Sequence, residues 1–349
     1  MREYLLPFLL PFSLSIPLTI IVRHIAFKKG WVDYPSPRKI HTKPVPRLGG
    51  IALFLAFLLT VLFYLIFLSD KLKFVDERVW GVDRNLFGVL LGALILVGAG
   101  IYDDIKGLSP FWKFFFQFLA ALCVVLFGIR IWWFSNPFGP KIVLGAWSHL
   151  FVIFWIVFLV NVVNWLDGLD GLATGVSAIS ALTLFFLSLK PEVHQPATAL
   201  LALILFASAL GFLPFNLNPA KIFLGDSGSM FLGYMLAIFA IISGGKVATA
   251  FLVLGIPIFD ALWVILRRLF QGCPPWLADR RHLHHRFLEA GFSQRQAVFL
   301  LYLIAIIFGV AALKLQTWGK LWALLLLFGL MILLAFVLIF LEKRRKVVA

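Results

Sequence analysis

The sequence predicts an all-α polytopic integral membrane protein, one domain spanning residues 1–349. Three observations predict it. Hydrophobic residues make up 62% of the chain and mean hydropathy is +1.00, far above an ordinary soluble domain. Apolar runs of about 20 residues, each long enough to cross a bilayer core as a helix, recur along the whole length. The polar links between them are sorted by charge. Such a chain leaves no room for a soluble domain of ordinary size. Its 12 Trp and 38 Phe suit lipid-facing and interfacial positions. Cys123 and Cys273 fall far apart and make no disulfide framework.

Eleven spans are expected, at about 4–27, 49–69, 84–102, 110–128, 149–166, 172–189, 197–215, 227–243, 248–266, 298–314 and 321–341. The first, MREYLLPFLLPFSLSIPLTIIV, lacks a small-residue cleavage site, so it reads as a span. With the N-terminus outside and the C-terminus cytoplasmic, the inside links and flanks carry 19 Lys and Arg against 11 outside. That asymmetry follows the positive-inside rule, and the tail EKRRK is its simplest case. The net charge of +15 is then topogenic, set beside anionic lipid headgroups, and calls for no nucleic acid. On the outside, IRIWWFSNPFGPKIVLG (129–145) alternates apolar residues around Asn-Pro and Gly-Pro, which predicts a small external β-hairpin.

Only 16 residues are Asp or Glu, and ionisable groups at membrane depth are costly, so their placement carries information. Asp103, Asp104, Asp167, Asp170, Asp226, Asp260 and Asp279 all map to inside links or to the span ends there. A transporter places its key carboxylates near mid-span among broken helices. Acids gathered at one water boundary predict a site open to cytoplasm and membrane surface together.

Each cluster has a plainer reading beside a functional one. In GIYDDIKGLSPFWKFFFQ, Asp103 and Asp104 form a solvated loop or a pair that needs a metal or cationic partner to offset its repulsion. Lys113 snorkels as an anchor or holds a lipid phosphate at headgroup level. In NVVNWLDGLDGLATG, Asn161, Asn164, Asp167 and Asp170 repeat every three residues, each step turning a helix by about 300°, so they form one slowly drifting stripe. Their oxygens suit Mg²⁺ or the sugar and base of a nucleotide, and two amides with Gly168 and Gly171 exceed what a helix cap requires. In FNLNPAKIFLGDSGSMFLG, Gly225, Ser227, Gly228 and Ser229 let a phosphate approach a helix start, where Asp226 holds a bridging Mg²⁺ or serves as an N-cap. His282, His284 and His285 lie among Arg280, Arg281 and Arg286. Guanidinium groups disfavour zinc there, and imidazoles with arginines suit anionic phosphates. HTKPVPRLGG (41–50) is a rigid turn or a substrate loop carrying Lys43 and Arg47.

HTKPVPRLGG, YDDIKGLSP, NVVNWLDGLDGLATG, FNLNPAKIFLGDSGS and ADRRHLHHRF, in that order, resemble the polyprenyl-phosphate N-acetylhexosamine-1-phosphate transferase family over nearly the whole chain. The resemblance implies a cytoplasmic-face Mg²⁺ site (Mn²⁺ as a substitute) in the plasma membrane. It implies transfer of a sugar 1-phosphate from a UDP-sugar to undecaprenyl phosphate with release of UMP, as the first membrane step of an envelope glycan such as lipopolysaccharide or teichoic acid. A homodimer is a further expectation. By motif position it implies an acidic pair in Asp103 and Asp104, a polar stripe in Asn164, Asp167 and Asp170, and a metal site made by Asp226 as principal ligand with Asn164 and Asp104. Asn216 matches the partner of Asp226, Phe223 the base-stacking aromatic and Lys113 a lysine linked to the carrier phosphate. HLHH in place of three consecutive histidines resembles the branch that uses UDP-GlcNAc or a related UDP-HexNAc. The alternative is the phospho-MurNAc-pentapeptide branch of peptidoglycan synthesis, and the remote one a transporter or flippase. Direct attack by the carrier phosphate and a two-step route through a phosphoryl-aspartate both fit these residues.

Overall fold

The computed structural model describes residues 2–35, 41–134, 136, 138–243, 247–272 and 282–348. It is a bundle of helices with three two-stranded hairpins. In chain order come α1 (Leu5–Lys29), β1 (Val32–Asp33), β2 (Val45–Pro46), α2 (Gly49–Phe67), β3 (Arg78–Val79), β4 (Val82–Asp83), α3 (Arg84–Lys106) and α4 (Pro110–Leu126). Then follow β5 (Trp133–Phe134), β6 (Ile142–Val143), α5 (Trp147–Leu166), α6 (Leu172–Ser188), α7 (Pro196–Asn216), α8 (Gly225–Ile242), α9 (Val247–Val253) and α10 (Gly255–Phe270). α11 (Leu283–Glu289), α12 (Gln294–Lys314) and α13 (Thr317–Val348) complete the chain.

Among the described residues, eight helices are long and apolar enough to cross a membrane: α1, α2, α3, α5, α7, α8, α12 and α13. α4 and α6 are equally apolar but shorter, at 17 residues each. The run at 248–266 departs from the single expected span. It is broken at Leu254 into α9 and α10. Gly255 and Pro257 follow the break, and a proline at that point clashes with the carbonyl four residues before it and cannot donate to it. α3 also runs one turn further than expected, so Asp103 and Asp104 sit on a helix and not in a loop. The hairpin expected within 129–145 is present, with Trp133 opposite Val143 and Phe134 opposite Ile142.

α8 is the centre of the bundle. It packs on α2, α3 and α5, and 83% of its membrane window is buried, against 17% for α13 at the periphery. Close approach depends on small residues. A Cβ on Gly50 of α2 would stand 2.1 Å from the backbone nitrogen of Gly228 in α8, and one on Gly100 of α3 would stand 2.4 Å from the Cα of Ser227. Several buried polar groups find partners across the bundle, as hydrocarbon favours. Ser15 of α1 donates to the Ser208 carbonyl of α7 at 2.9 Å, and Trp155 Nε1 donates to the Ala237 carbonyl at 3.1 Å. The C-terminal ends of α3, α5 and α7 and the N-terminal ends of α2, α4, α6, α8 and α12 meet at one face, and their loops bond to one another there.

Candidate active site

The N-terminus of α8 organises this face. Residues 46–50 pair with the strand-like stretch before α8: Phe223 N donates to Pro46 O at 2.8 Å, Gly49 N to Phe223 O at 2.9 Å and Gly50 N to Leu224 O at 2.8 Å. Gly225 has φ +74°, and a Cβ there would press on the Arg47 carbonyl at 2.2 Å and on Asp104 Oδ2 at 2.6 Å, so the turn admits only glycine. Asp104 caps the helix from α3. Its Oδ1 accepts from Asp226 N at 2.8 Å, and its Oδ2 accepts from Ser227 N at 3.1 Å and Ser227 Oγ at 2.8 Å. The backbone N–H groups expected to meet a phosphate at this helix start are therefore partly taken by Asp104.

With its backbone held by Asp104, Asp226 turns its carboxylate to other partners. Oδ1 accepts from Asn164 Nδ2 at 2.6 Å, and Oδ2 is paired with Lys113 Nζ at 2.6 Å. Lys113 also pairs with Asp103, whose Oδ1 accepts from Leu108 N at 2.5 Å. One ammonium thus joins two carboxylates from α3 and α8. Asp167 ends α5 beside them. Burial first, then the carboxylates of Asp226, Asp104 and Asp170, push its pKa well above the usual carboxylate range. Asp170 Oδ2 accepts from Asn218 Nδ2 at 2.9 Å and Ala220 N at 3.0 Å, which ties the α5–α6 loop to the α7–α8 loop.

Asp103, Asp104, Asp167, Asp170 and Asp226 line one cavity of about 870 Å³, together with Lys43, Arg47, Lys113, Asn216, Phe223 and His285. Asn164 stands behind Asp226 and bonds to it. Asn161 does not line the cavity. Its amide nitrogen donates to Gln117 Oε1 at 2.6 Å and to Val157 O at 2.8 Å, so it braces α5 on α4. Asn216 is buried with both ends of its amide occupied: Oδ1 accepts from Thr174 Oγ1 at 2.7 Å and Nδ2 donates to Ile222 O at 3.1 Å. It holds the loop that carries Phe223. His282 and His284 are buried behind the cavity wall. Burial, then His285 and His282, push the pKa of His284 well below the ordinary imidazole value. Arg280 and Arg281, like Cys273, lie outside the described residues, and Cys123 is a buried free thiol.

Asp33, His41, Asn218 and Gln294 also line the cavity and were missed by sequence reasoning. Asp33 of β1 pairs with Arg47 Nη2 at 2.5 Å and lies 3.6 Å from His41 Nε2, whose ring meets Phe223 edge-on at 5.3 Å. Asn218 and Gln294 bond at 2.7 Å. The second Asn of FNLNPA was a usable signal for Asn218; a lone Gln at a helix start is none.

The donor set is oxygen throughout and suits a hard cation. Among the described residues, no three acidic, imidazole or thiol groups form a complete cage. A Mg²⁺ ion does not need one, since it keeps several waters and is bound by one or two carboxylates plus substrate phosphates. Asp226 and Asp103, already drawn together by the ammonium of Lys113, fit that role best.

Residues 86–244 match the glycosyl transferase family 4 model. The chain is 36% identical over 332 residues to the Bacillus subtilis (strain 168) protein named probable undecaprenyl-phosphate N-acetylglucosaminyl 1-phosphate transferase, covering 93% of this chain and 87% of that one. It is 34% identical over 310 residues to the decaprenyl-phosphate N-acetylglucosaminephosphotransferase of Mycobacterium tuberculosis (strain CDC 1551 / Oshkosh), covering 81% and 75%. It is 30% identical over 309 residues to the undecaprenyl-phosphate alpha-N-acetylglucosaminyl 1-phosphate transferase of Yersinia pestis, covering 84% and 79%. Similarity of this extent, running through every segment that builds the cavity, shows that the chain belongs to the polyprenyl-phosphate N-acetylhexosamine-1-phosphate transferase family.

Proposed function

We propose that this protein transfers GlcNAc-1-phosphate from UDP-GlcNAc to undecaprenyl phosphate and releases UMP, with the cavity opening on the cytoplasmic face of the plasma membrane and the N-terminus outside. The observation that carries the proposal is the convergence in one cavity of Asp103 from α3, Asp226 from α8 and Asp167 from the turn after α5, with Lys113 pairing the first two. The names of the relatives support the sugar and the lipid acceptor.

Donor pyrophosphate and acceptor phosphate are both anionic, so repulsion is the first obstacle. A Mg²⁺ ion held by Asp226 and Asp103 would screen the donor phosphates and stabilise charge on the departing UMP. Lys113, Lys43 and Arg47 supply fixed positive charge around the same space. Lys113 stands at the start of α4 beside exposed Phe111 and Trp112, the depth at which a lipid headgroup lies. A phosphate monoester has its second pKa near 6, so at pH 7 the acceptor is mostly the nucleophilic dianion and needs no strong base. Its oxygen attacks the β-phosphorus, forming one P–O bond as the bond from that phosphorus to the bridging oxygen breaks, and UMP leaves with the electron pair. Asp167, whose pKa is pushed above the usual carboxylate range first by burial and then by Asp226, Asp104 and Asp170, lines the space where those anions gather.

Purified protein given undecaprenyl phosphate should release UMP from UDP-GlcNAc faster than from UDP-MurNAc-pentapeptide. The reverse preference assigns it to the peptidoglycan branch. Direct attack predicts that UDP-GlcNAc labelled in the sugar, incubated without lipid, leaves no label on the protein; a stoichiometric label means a covalent intermediate. Lys113→Ala should lower kcat/KM for the lipid by about 100-fold and raise the lipid KM more than the UDP-GlcNAc KM. An unchanged lipid KM leaves Lys113 only its ion pairs.

A further inference from the structure

Asp260 lies on α10, outside the cavity, yet it is buried and directed at the histidine segment. Its Oδ1 accepts from Leu283 N and its Oδ2 faces His282 Nδ1, both at 2.8 Å. A carboxylate accepts here, so Nδ1 carries the proton, and ring and backbone at the start of α11 are gripped together. From His282 the contact passes inward by stacking. The His282 and His284 rings lie 5.6 Å apart and 7° from parallel, and the His284 and His285 rings are 4.4 Å apart.

His284 then meets the catalytic loop itself. A Cβ on Gly168 would stand 2.1 Å from His284 Nε2 and within 3.0 Å of two ring carbons. The imidazole therefore rests on the bare backbone between Asp167 and Asp170. His284 Nδ1 is buried and makes no hydrogen bond among the described residues, so that side of the ring is held by packing. Its seat is fixed from behind, by His282 and the carboxylate that holds it.

We propose that Asp260 is a positioning residue for the transfer: through His282 it holds the imidazole stack against Gly168 and so fixes the loop that carries Asp167 and Asp170. The kinetic part of this role rests on the reaction proposed above; the mechanical part does not. Asp260→Asn tests both, because the amide keeps an acceptor for Leu283 N and cannot accept from His282 Nδ1–H with its nitrogen.

Two measurements decide. In hydrogen exchange of the purified full chain, read by mass spectrometry, Asp260→Asn should speed amide exchange in residues 283–289 and also in 167–171, while α1 to α3 stay as in wild type. Unchanged exchange at 167–171 overturns the proposal whatever the enzyme's substrate. In UMP release, the same variant should lose about 10- to 100-fold in kcat, the range for groups that orient a ligand from behind, with both KM values within about threefold. In a His282→Gln background the added loss should nearly vanish, because the two residues act as a unit. The same fold-loss in both backgrounds means Asp260 does not act through His282. Wild-type protein that releases no UMP refutes the proposed function alone and leaves the exchange result to judge Asp260.

Discussion

Asp226→Asn should lower UMP release by at least about 10³-fold, and excess Mg²⁺ should not restore it. The substitution changes no volume. It keeps an oxygen for the Asn164 amide, which donates at 2.6 Å, and it leaves the backbone contact with Asp104 intact. What it removes is the negative charge that pairs with Lys113 and that, in the proposed reaction, would be the principal ligand to Mg²⁺. An amide oxygen is a weaker ligand, and its NH₂ would turn a donor toward the ammonium of Lys113. Thermal unfolding should stay near that of wild type, which separates lost chemistry from lost folding. Near-normal turnover in this variant would take the metal role away from Asp226.

Gly50→Val should disrupt the fold itself. Its Cβ would fall 2.1 Å from Gly228 N and 2.4 Å from Gly228 Cα, both backbone atoms that cannot rotate aside. α2 and α8 must then separate, and the residues bonded to 46–50 move with them, including the turn that sets Asp226. A loss of about 3 kcal/mol or more is expected from overpacking at backbone. It is measured as a fall in the thermal unfolding midpoint and in folded yield. Gly98→Ala is the matched control on α3: nothing lies within 4 Å of its added Cβ, and alanine favours a helix over glycine by about 1 kcal/mol. Equal behaviour of the two variants would show that the α2–α8 contact is not what holds the bundle.

The membrane helices were legible because hydrocarbon imposes a length and a composition on each of them, and both are local properties of the chain. The break in the ninth apolar run was missed because Gly255 and Pro257 sit inside residues that are hydrophobic throughout, where hydropathy alone shows no interruption. The site acids were legible for a related reason. In a chain with 16 Asp and Glu, carboxylates that recur at one set of span ends stand out. Their division of labour was not legible. Asp103 and Asp104 are adjacent and chemically identical, yet Asp103 joins Lys113 of the next helix while Asp104 caps α8, whose start is more than 100 positions away. The stripe of Asn161, Asn164, Asp167 and Asp170 shares a helical face only in part, since α5 ends at Leu166 and the two acids continue in a turn. Asn161 consequently stays inside the bundle with Gln117 while Asp170 reaches across to Asn218.

The most direct test follows the phosphorus. UDP-GlcNAc labelled in its β-phosphate is given to purified protein with undecaprenyl phosphate and Mg²⁺, and a parallel sample carries the label in the α-phosphate. Transfer of the sugar with its own phosphate predicts that the β label enters the lipid and the α label leaves in UMP, in equal amounts. A β label that leaves in UDP, or a lipid that stays unlabelled, would contradict the account.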